Sequence, residues 1–382
     1  MIHIKNKKEC CGCSACVQKC PKQCIEMIED YEGFLYPTVN KDLCINCGMC
    51  DKVCPTINQD EPKEPIYTIA AVNRDERTRL LSSSGGIFTM LAESTIDNGG
   101  AVFGAAFNEK WEVKHICVED KSELQKLRGS KYVQSDIGNC YKEAKAYLSA
   151  GKEVLFSGTP CQIAGLKKFL RKEYKNLKTI DVVCHGTPSP IAWRKYLDEV
   201  SSRYSITQIT DIQFRDKTEG WKTFSLSIKY KDKEGSEKIF RETLNENVFM
   251  KCFLSNLCLR PSCHACPARK GKSRSDITLA DLWGAENICP ELDDNKGVSL
   301  ILLRNQDLDL LYLDKKEIEY YKALTYNPSI ESDTAIPVKR DKFFRILQRA
   351  GVHEATIRCT TKSKLEVLSE KIIWNIKKRI FK

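Results

Sequence analysis

No stretch of this 382-residue chain is long and apolar enough to cross a bilayer as a helix. The opening residues, Met1 to Lys8, hold neither an apolar run nor a cleavage site, so no secretory leader is expected. No basic segment interleaved with aromatics stands out. The balance of 61 basic against 51 acidic residues, a net +10, is modest for this length. Nucleic acid is therefore not expected as a partner, although an anionic cofactor or acidic partner gains from the bias. No G-x-G-x-x-G follows a strand-like run, which argues against a nicotinamide-type dinucleotide site. Internal repetition is confined to two cysteine runs near the start.

Cysteine, by contrast, is abundant, with 20 residues. Without a leader these thiols point to a reducing cytoplasm and to metal rather than disulfides. Cys10-Cys11-Gly12-Cys13-Ser14-Ala15-Cys16 leads to Cys20-Pro21, and Cys44-Ile45-Asn46-Cys47-Gly48-Met49-Cys50 leads to Cys54-Pro55. Both fit C-x2-C-x2-C-x3-C-P, in which three thiolates curl around one 4Fe–4S cluster and the fourth reaches across to the other. The spacing assigns Cys10, Cys13, Cys16 and Cys54 to one cluster, and Cys20, Cys44, Cys47 and Cys50 to the second. Zinc closes with four ligands and gives no reason for the third cysteine or the C-x3-C-P ending. Cys11 and Cys24 are surplus and read as non-ligands.

A polar, proline-punctuated linker at 59–65 ends this unit. Strand-like runs follow at 66–72, 101–107, 113–118, 152–156 and 179–183. An antiparallel group is expected at 206–214, 223–230 and 238–241, with 298–303 as the last core strand. Helical runs begin at Ile87, after residues 157–162 and at Ile191, so strand–loop–helix units recur as in an α/β core. Ser83-Ser84-Gly85-Gly86 precedes the first of these helices and suits either a simple capped turn or a phosphate cradle. Arg128-Gly129-Ser130-Lys131-Tyr132 gathers two cations, a glycine and an aromatic, which fits a phosphate-and-ring ligand or a solvated loop. Cys258-x4-Cys263-x2-Cys266 is three-quarters of a further cluster site. Cys161, Cys184 and Cys252 are candidates for its fourth ligand, and zinc with His264 is the alternative. Asp276 and Asp281 suit a ribityl hydroxyl, the orientation of a basic residue, or ordinary capping. Residues 363–382 form a basic amphipathic pattern that fits docking on its own domain or on a partner protein, or, second, a membrane surface.

Five of these segments, in order, resemble the family of beta subunits of the coenzyme F-420 (deazaflavin) hydrogenases and dehydrogenases. They are Ser83-Ser84-Gly85-Gly86, Gly158-Thr159-Pro160-Cys161-Gln162, Cys184-His185-Gly186, Cys258-x4-Cys263-x2-Cys266, and Ser275 to Gly284. The resemblance covers about 66–304, with the dicluster unit fused in front. It departs mildly at Leu279-Ala280-Asp281-Leu282-Trp283-Gly284, where Gly-Asp-Phe-Trp-Gly is commoner. It implies a fold of mixed α+β and α/β character. A two-cluster ferredoxin-like domain (1–58) precedes a mixed α/β flavin-binding domain (66–304) and a C-terminal helical extension (305–382). It also implies an iron–sulfur flavoprotein oxidoreductase with FAD and a third 4Fe–4S cluster. Such an enzyme exchanges electrons with a redox partner protein or ferredoxin-type donor and a small organic acceptor, deazaflavin-like or linked to polysaccharide synthesis. Ser83 to Gly86 and Arg128 to Tyr132 become FAD contacts. Cys258, Cys263 and Cys266, with Cys161 or Cys184, become ligands of the third cluster. His185 is a candidate proton donor. The alternative is an electron-transfer or scaffold subunit without a catalytic flavin.

Overall fold

The computed structural model describes residues 1–305 and 318–361; the basic pattern at 363–382 lies outside them. Among the described residues no helix is long and apolar enough to cross a membrane.

The N-terminal unit is built from two short helices and one hairpin. α1 (Ala15–Lys19) and α2 (Met49–Lys52) each start behind a left-handed residue, Ser14 and Gly48. The same turn thus recurs in both cysteine runs. β1 (Ile25–Glu29) pairs antiparallel with β2 (Leu35–Val39).

After the linker come β3 (Tyr67–Asn73), α3 (Glu76–Leu81), α4 (Ile87–Asp97), β4 (Ala101–Phe107), β5 (Val113–Val118), α5 (Cys140–Ser149), β6 (Val154–Gly158), α6 (Pro160–Leu170), β7 (Leu177–Val182) and α7 (Pro190–Tyr204). The chain continues with β8 (Gln208–Asp216), β9 (Ser225–Lys231), β10 (Glu237–Thr243), α8 (Val248–Leu254), β11 (Ile277–Asp281), α9 (Ala285–Ile288), β12 (Ser299–Leu303), β13 (Ile318–Ala323) and α10 (Arg340–Thr360). Eight strands form one mixed sheet in the order β13-β3-β12-β11-β7-β6-β4-β5. β4, β6, β7 and β11 run parallel, and β12 is antiparallel to both β11 and β3. β3 therefore points the same way as the parallel set. The strands expected at 206–214, 223–230 and 238–241 form a separate antiparallel meander, β10-β9-β8.

Side-chain alternation covers both faces of the main sheet. Val102, Leu155, Ile180 and Ile277 pack under Ile87, Met90 and Leu91 of α4. Their neighbours Ala101, Phe103, Val154 and Phe156 face Tyr141 and Ala144 of α5 and Ile163 and Leu166 of α6. Cys11, Cys13, Ala15 and Val53 join this second face, so the N-terminal unit is packed into the main core. An aromatic core around Trp193, Phe214, Phe249 and Phe343 fills the space between the meander, α7, α8 and α10, and Phe34 enters it from the β1–β2 turn.

One expectation changes. Val298–Leu303 is not the last core strand, because β13 adds antiparallel to the outer edge of β3. Further on, α10 buries Phe343, Phe344 and Leu347 in the aromatic core. Its Arg340 donates to the Glu32 carboxylate at 2.8 and 2.6 Å, and both side chains are buried. A second N–H of that guanidinium reaches the Leu259 carbonyl at 2.8 Å.

Candidate functional site

The cysteine runs fold into two thiol groups. Cys10 and Cys16 lie within electrostatic reach of each other and of Cys54, the fourth cysteine of the other run. Burial, then Cys10 and Cys54, push the Cys16 thiol up. Cys13, which also feels Cys16, packs against α6 at Gly165. The outer group lines a small pocket, with Cys20, Cys44, Cys47 and Cys50 around it, together with Cys24. Cys20, from the first run, thus sits with the second run. Cys47 is exposed there, and the Ile2 N–H donates to Cys50 Sγ at 3.2 Å. Of the surplus thiols, Cys24 Sγ lies 3.4 Å from Cys20 Sγ, and buried Cys11 hydrogen-bonds to Cys13 and Cys161.

A third group gathers where the parallel strands end, the edge at which open α/β sheets place their ligands. Cys161 starts α6 directly after β6, and Cys184 follows β7. Cys184 feels Cys263 and Cys266, and Cys266 is also near Cys161. Burial, then Cys263, push the Cys184 thiol up to about 12. Thiols crowded into a dry site resist ionising together unless a cation compensates them, which is what cluster iron supplies. The Thr187 N–H donates to Cys263 Sγ at 3.3 Å. Cys258 turns elsewhere: its Sγ lies 3.0 Å from Cys252 Sγ inside the aromatic core. The next residue, Leu259, forms a bridge with Pro188 and is buried in the same core. His264 Nδ1 faces the Thr334 carbonyl at 3.1 Å.

The same edge carries a polar cleft. Ser84 Oγ donates to the Val298 carbonyl (2.8 Å) and the Gly85 N–H donates to Ser299 Oγ (2.9 Å), which folds the loop onto the ends of β3 and β12. A Cβ on Gly85 would lie 2.6 Å from the Ala71 carbonyl oxygen, so only glycine allows this approach. Gly86, at φ +85°, opens α4, whose N-terminus has no side-chain cap. Ser130 donates to Ser83 Oγ through its N–H (2.6 Å) and shares a hydroxyl hydrogen bond with it (2.9 Å), joining the two loops expected to act together. Arg128 points away, to Thr89 and Glu93. Lys131 donates to the Arg128 and Gly129 carbonyls, and burial pushes its ammonium down to about 7.

Arg215 is the residue that sequence reasoning missed. It ends β8, buried, and one terminal nitrogen donates to Asp281 (2.7 Å) and Tyr132 Oη (3.2 Å). Its Nε and other terminal nitrogen have no partner among the described residues. Beside it, buried Trp221 stacks on Trp283 at 4.6 Å, and Trp283 is 51% exposed. Lys217 Nζ donates to the carbonyls of Arg79, Ser84 and Lys296. Burial, then Arg215, push it down to about 7, while three carbonyl acceptors suit the protonated form. The only sequence signal was Arg-Asp-Lys closing a strand, which reads as solvated charge until burial is known.

The two expected carboxylates part company. Asp281 belongs to the cleft. Asp276 accepts from Thr179 N and Oγ1 (2.8 and 2.6 Å) and from Asn305 (3.0 Å), which locks β11 to β7. His185 is exposed, and its Nε2 donates to Asn256 Oδ1 at 2.7 Å. Its ring meets Phe253 edge-on, and Phe253 in turn stacks on Tyr132.

Known proteins match this arrangement in three consecutive blocks. A 4Fe-4S dicluster domain matches residues 9–58. The N-terminal part of the coenzyme F420 hydrogenase/dehydrogenase beta subunit matches 68–140, and its C-terminal part matches 151–327. Among curated relatives, one subunit of the F(420)H(2) dehydrogenase of Methanosarcina mazei is 21% identical over 46% of this chain and 51% of its own. The coenzyme F420-dependent sulfite reductase of Methanocaldococcus jannaschii is 25% identical over 49% of this chain and 29% of its own. The chain thus spans about half the length of the first and under a third of the second. An uncharacterized protein of the latter organism is 24% identical over 87% of this chain and 94% of its own. A chain of the F420-reducing [NiFe] hydrogenase complex from Methanosarcina barkeri is 14% identical over 78% of this chain and 94% of its own, with a TM-score of 0.44. With both beta-subunit models in order behind a dicluster domain, the chain belongs to the family of coenzyme F420 hydrogenase/dehydrogenase beta subunits, which are iron–sulfur oxidoreductase components.

Proposed function

We propose that the chain is an iron–sulfur flavoprotein that passes electrons between a protein partner at its outer thiol group and a small, deazaflavin-like acceptor at its cleft. The observation that carries this reading is the edge of the main sheet, where four thiols and a buried arginine with unpartnered N–H groups converge.

The ligand set we propose for the third 4Fe–4S cluster is Cys161, Cys184, Cys263 and Cys266. The N-terminal clusters take Cys10, Cys13, Cys16 and Cys54, and Cys20, Cys44, Cys47 and Cys50. The cleft fits FAD on the chemistry of its donors. The uncapped N-terminus of α4 and the Ser83–Gly86 loop receive phosphate. The free N–H groups of Arg215 suit the polar edge of a ring system or a phosphate oxygen. Tyr132 and Trp283 supply ring faces. When bound, the flavin supplies the exchange between one-electron and two-electron chemistry. The chain holds the thiol groups in a row, with Cys11 lodged between the inner and third groups. It keeps Arg215 aimed through Asp281, and it presents His185 as a proton carrier beside the third group.

The test is an anaerobic preparation with iron, sulfide and released flavin counted per chain. About twelve irons and one FAD support the reading. About eight irons and no flavin overturn it, and leave a ferredoxin fused to an electron-transfer or scaffold subunit.

A further inference from the structure

Burying an arginine is costly unless a negative charge accompanies it. Among the described residues the buried arginines are Arg79, Arg215, Arg260, Arg269, Arg304 and Arg340. Five of them have a carboxylate within 4.0 Å: Asp294, Asp281, Asp333, Glu331 and Glu32, for Arg79, Arg215, Arg269, Arg304 and Arg340 in turn. Arg260, which is fully buried, has none.

Its hydrogen bonds go to neutral acceptors and to one thiol. Nε donates to the Cys10 carbonyl at 2.7 Å. One terminal nitrogen donates to Gln134 Oε1 at 2.9 Å. The other reaches the Leu35 carbonyl at 2.9 Å and Cys10 Sγ at 3.6 Å. Tyr36 offers its ring face 4.3 Å from the guanidinium carbon. Four hydrogen bonds thus hold the guanidinium, and among the described residues no carboxylate meets its charge. Gly12 makes the approach possible, because a Cβ there would lie 2.8 Å from the guanidinium and 2.6 Å from the Gln134 amide. In sequence Arg260 stands three residues before Cys263. In space it leans on the first ligand of the inner N-terminal group.

We propose that Arg260 is the counter-charge of the inner 4Fe–4S cluster and raises its reduction potential. Four thiolates around a cluster leave net negative charge, and reduction adds one electron and no proton. A fixed cation at a ligating sulfur favours that reduced state, and net charge and hydrogen bonds to sulfur are known levers on cluster potential. The outer group is held differently. The cationic residues lining its pocket are Met1, whose ammonium is already paired with Asp51 at 2.8 Å and is partly exposed, and Lys22, which is exposed. An electron leaving a reduced outer cluster, which is thereby oxidised, then finds the inner one as the favoured acceptor.

The inference rests on the dicluster reading of the N-terminal unit, and the experiment separates the two. The anaerobic holoprotein is titrated with dithionite at set potentials and followed by electron paramagnetic resonance. If the unmutated protein lacks two N-terminal clusters, the reading itself fails. With both present, Arg260→Gln should move one centre to lower potential and leave the outer one in place. At a fixed ambient potential, its reduced-to-oxidised ratio should fall about tenfold, which is about 59 mV for one electron. Arg260→Lys, which keeps the charge and loses the fork, should restore most of that ratio. Unchanged potentials in Arg260→Gln, an equal shift of every centre, or a Lys variant as low as the Gln variant would overturn the proposal. If Arg260→Gln loses its inner iron, Arg260→Lys alone decides by whether its ratio stays near the unmutated value or drops about tenfold.

Discussion

The N-terminal unit and the cleft are made by opposite means. In the unit, ten thiols lie within 45 residues, eight of them in the two motifs, and two turns of the same shape, at Ser14 and Gly48, present those eight. In the cleft, Ser83, Ser130, Arg215, Asp281 and Trp283 come from separate loops and strand ends far apart in the chain, Asp281 and Trp283 excepted. Local spacing can therefore specify the first site almost alone. The second exists only once β3, β6, β7 and β11 lie side by side with their carboxyl ends together. A site of the first kind tolerates change in the scaffold and is intolerant of change in its own residues. A site of the second kind is as sensitive to the scaffold as to its own residues.

The sharpest break of that contrast is Cys54→Ser. Although Cys54 belongs by position to the second run, it should cost the inner cluster, with iron falling by about four per chain and the outer centre's spectrum kept. Loss of the outer signal instead would refute the crossed pairing. Next is Arg340→Ala, which leaves the buried Glu32 carboxylate without its counter-charge. Breaking such a pair costs about 3–5 kcal/mol, so denaturant unfolding should show a clear fall in midpoint. An unchanged midpoint would mean that the unit and main core are not coupled in stability.

Asp181 tests the seam beneath the cleft. It accepts from Ser273 Oγ at 2.6 Å and from Thr278 Oγ1 at 2.5 Å, and burial, the largest cause, raises its carboxyl to about 6 from the usual 3.8. A raised carboxyl favours the fold while protonated. Its contribution is complete below about pH 4 and lost as pH rises through about 6, by an amount on the order of 3 kcal/mol. The stability difference between the native chain and Asp181→Asn should change across that window, as only the native chain loses stability there, and a flat difference would show that the carboxyl titrates normally. The smallest effect belongs to Cys258→Ala. It should leave every iron in place and trim only packing, by about 1 kcal/mol, whereas Cys263→Ser should lose the third cluster. Equal iron loss in both variants would return Cys258 to the ligand set.

Legibility in the sequence followed the same divide. The dicluster unit could be read at once, because its ligands repeat at fixed short intervals. The α/β core was visible too, since alternating strands and capped helices are local patterns; β4 and β5 lie at the expected residues. Cys258 fits the C-x4-C-x2-C spacing of a cluster motif, while in the fold its Sγ lies beside Cys252 in an aromatic core, which spacing does not reveal. Asp276 stands at an apolar strand, and its partner Thr179 is nearly one hundred residues away in the chain, beyond the reach of any local pattern. Arg215 gave only an Arg-Asp-Lys strand end that reads as solvated charge, and Arg260 gave no signal. Their meaning depends on which of their N–H groups and charges lack a partner, and only the folded chain decides that.

The pair between Glu32 and Arg340 also bears on how the protein is made. Glu32 leaves the ribosome 308 residues before its partner. The β1–β2 turn therefore gains its counter-charge only when α10 has been made, because a carboxylate without a partner is costly to bury. The ion pair ties two parts of the described chain that are made far apart in time.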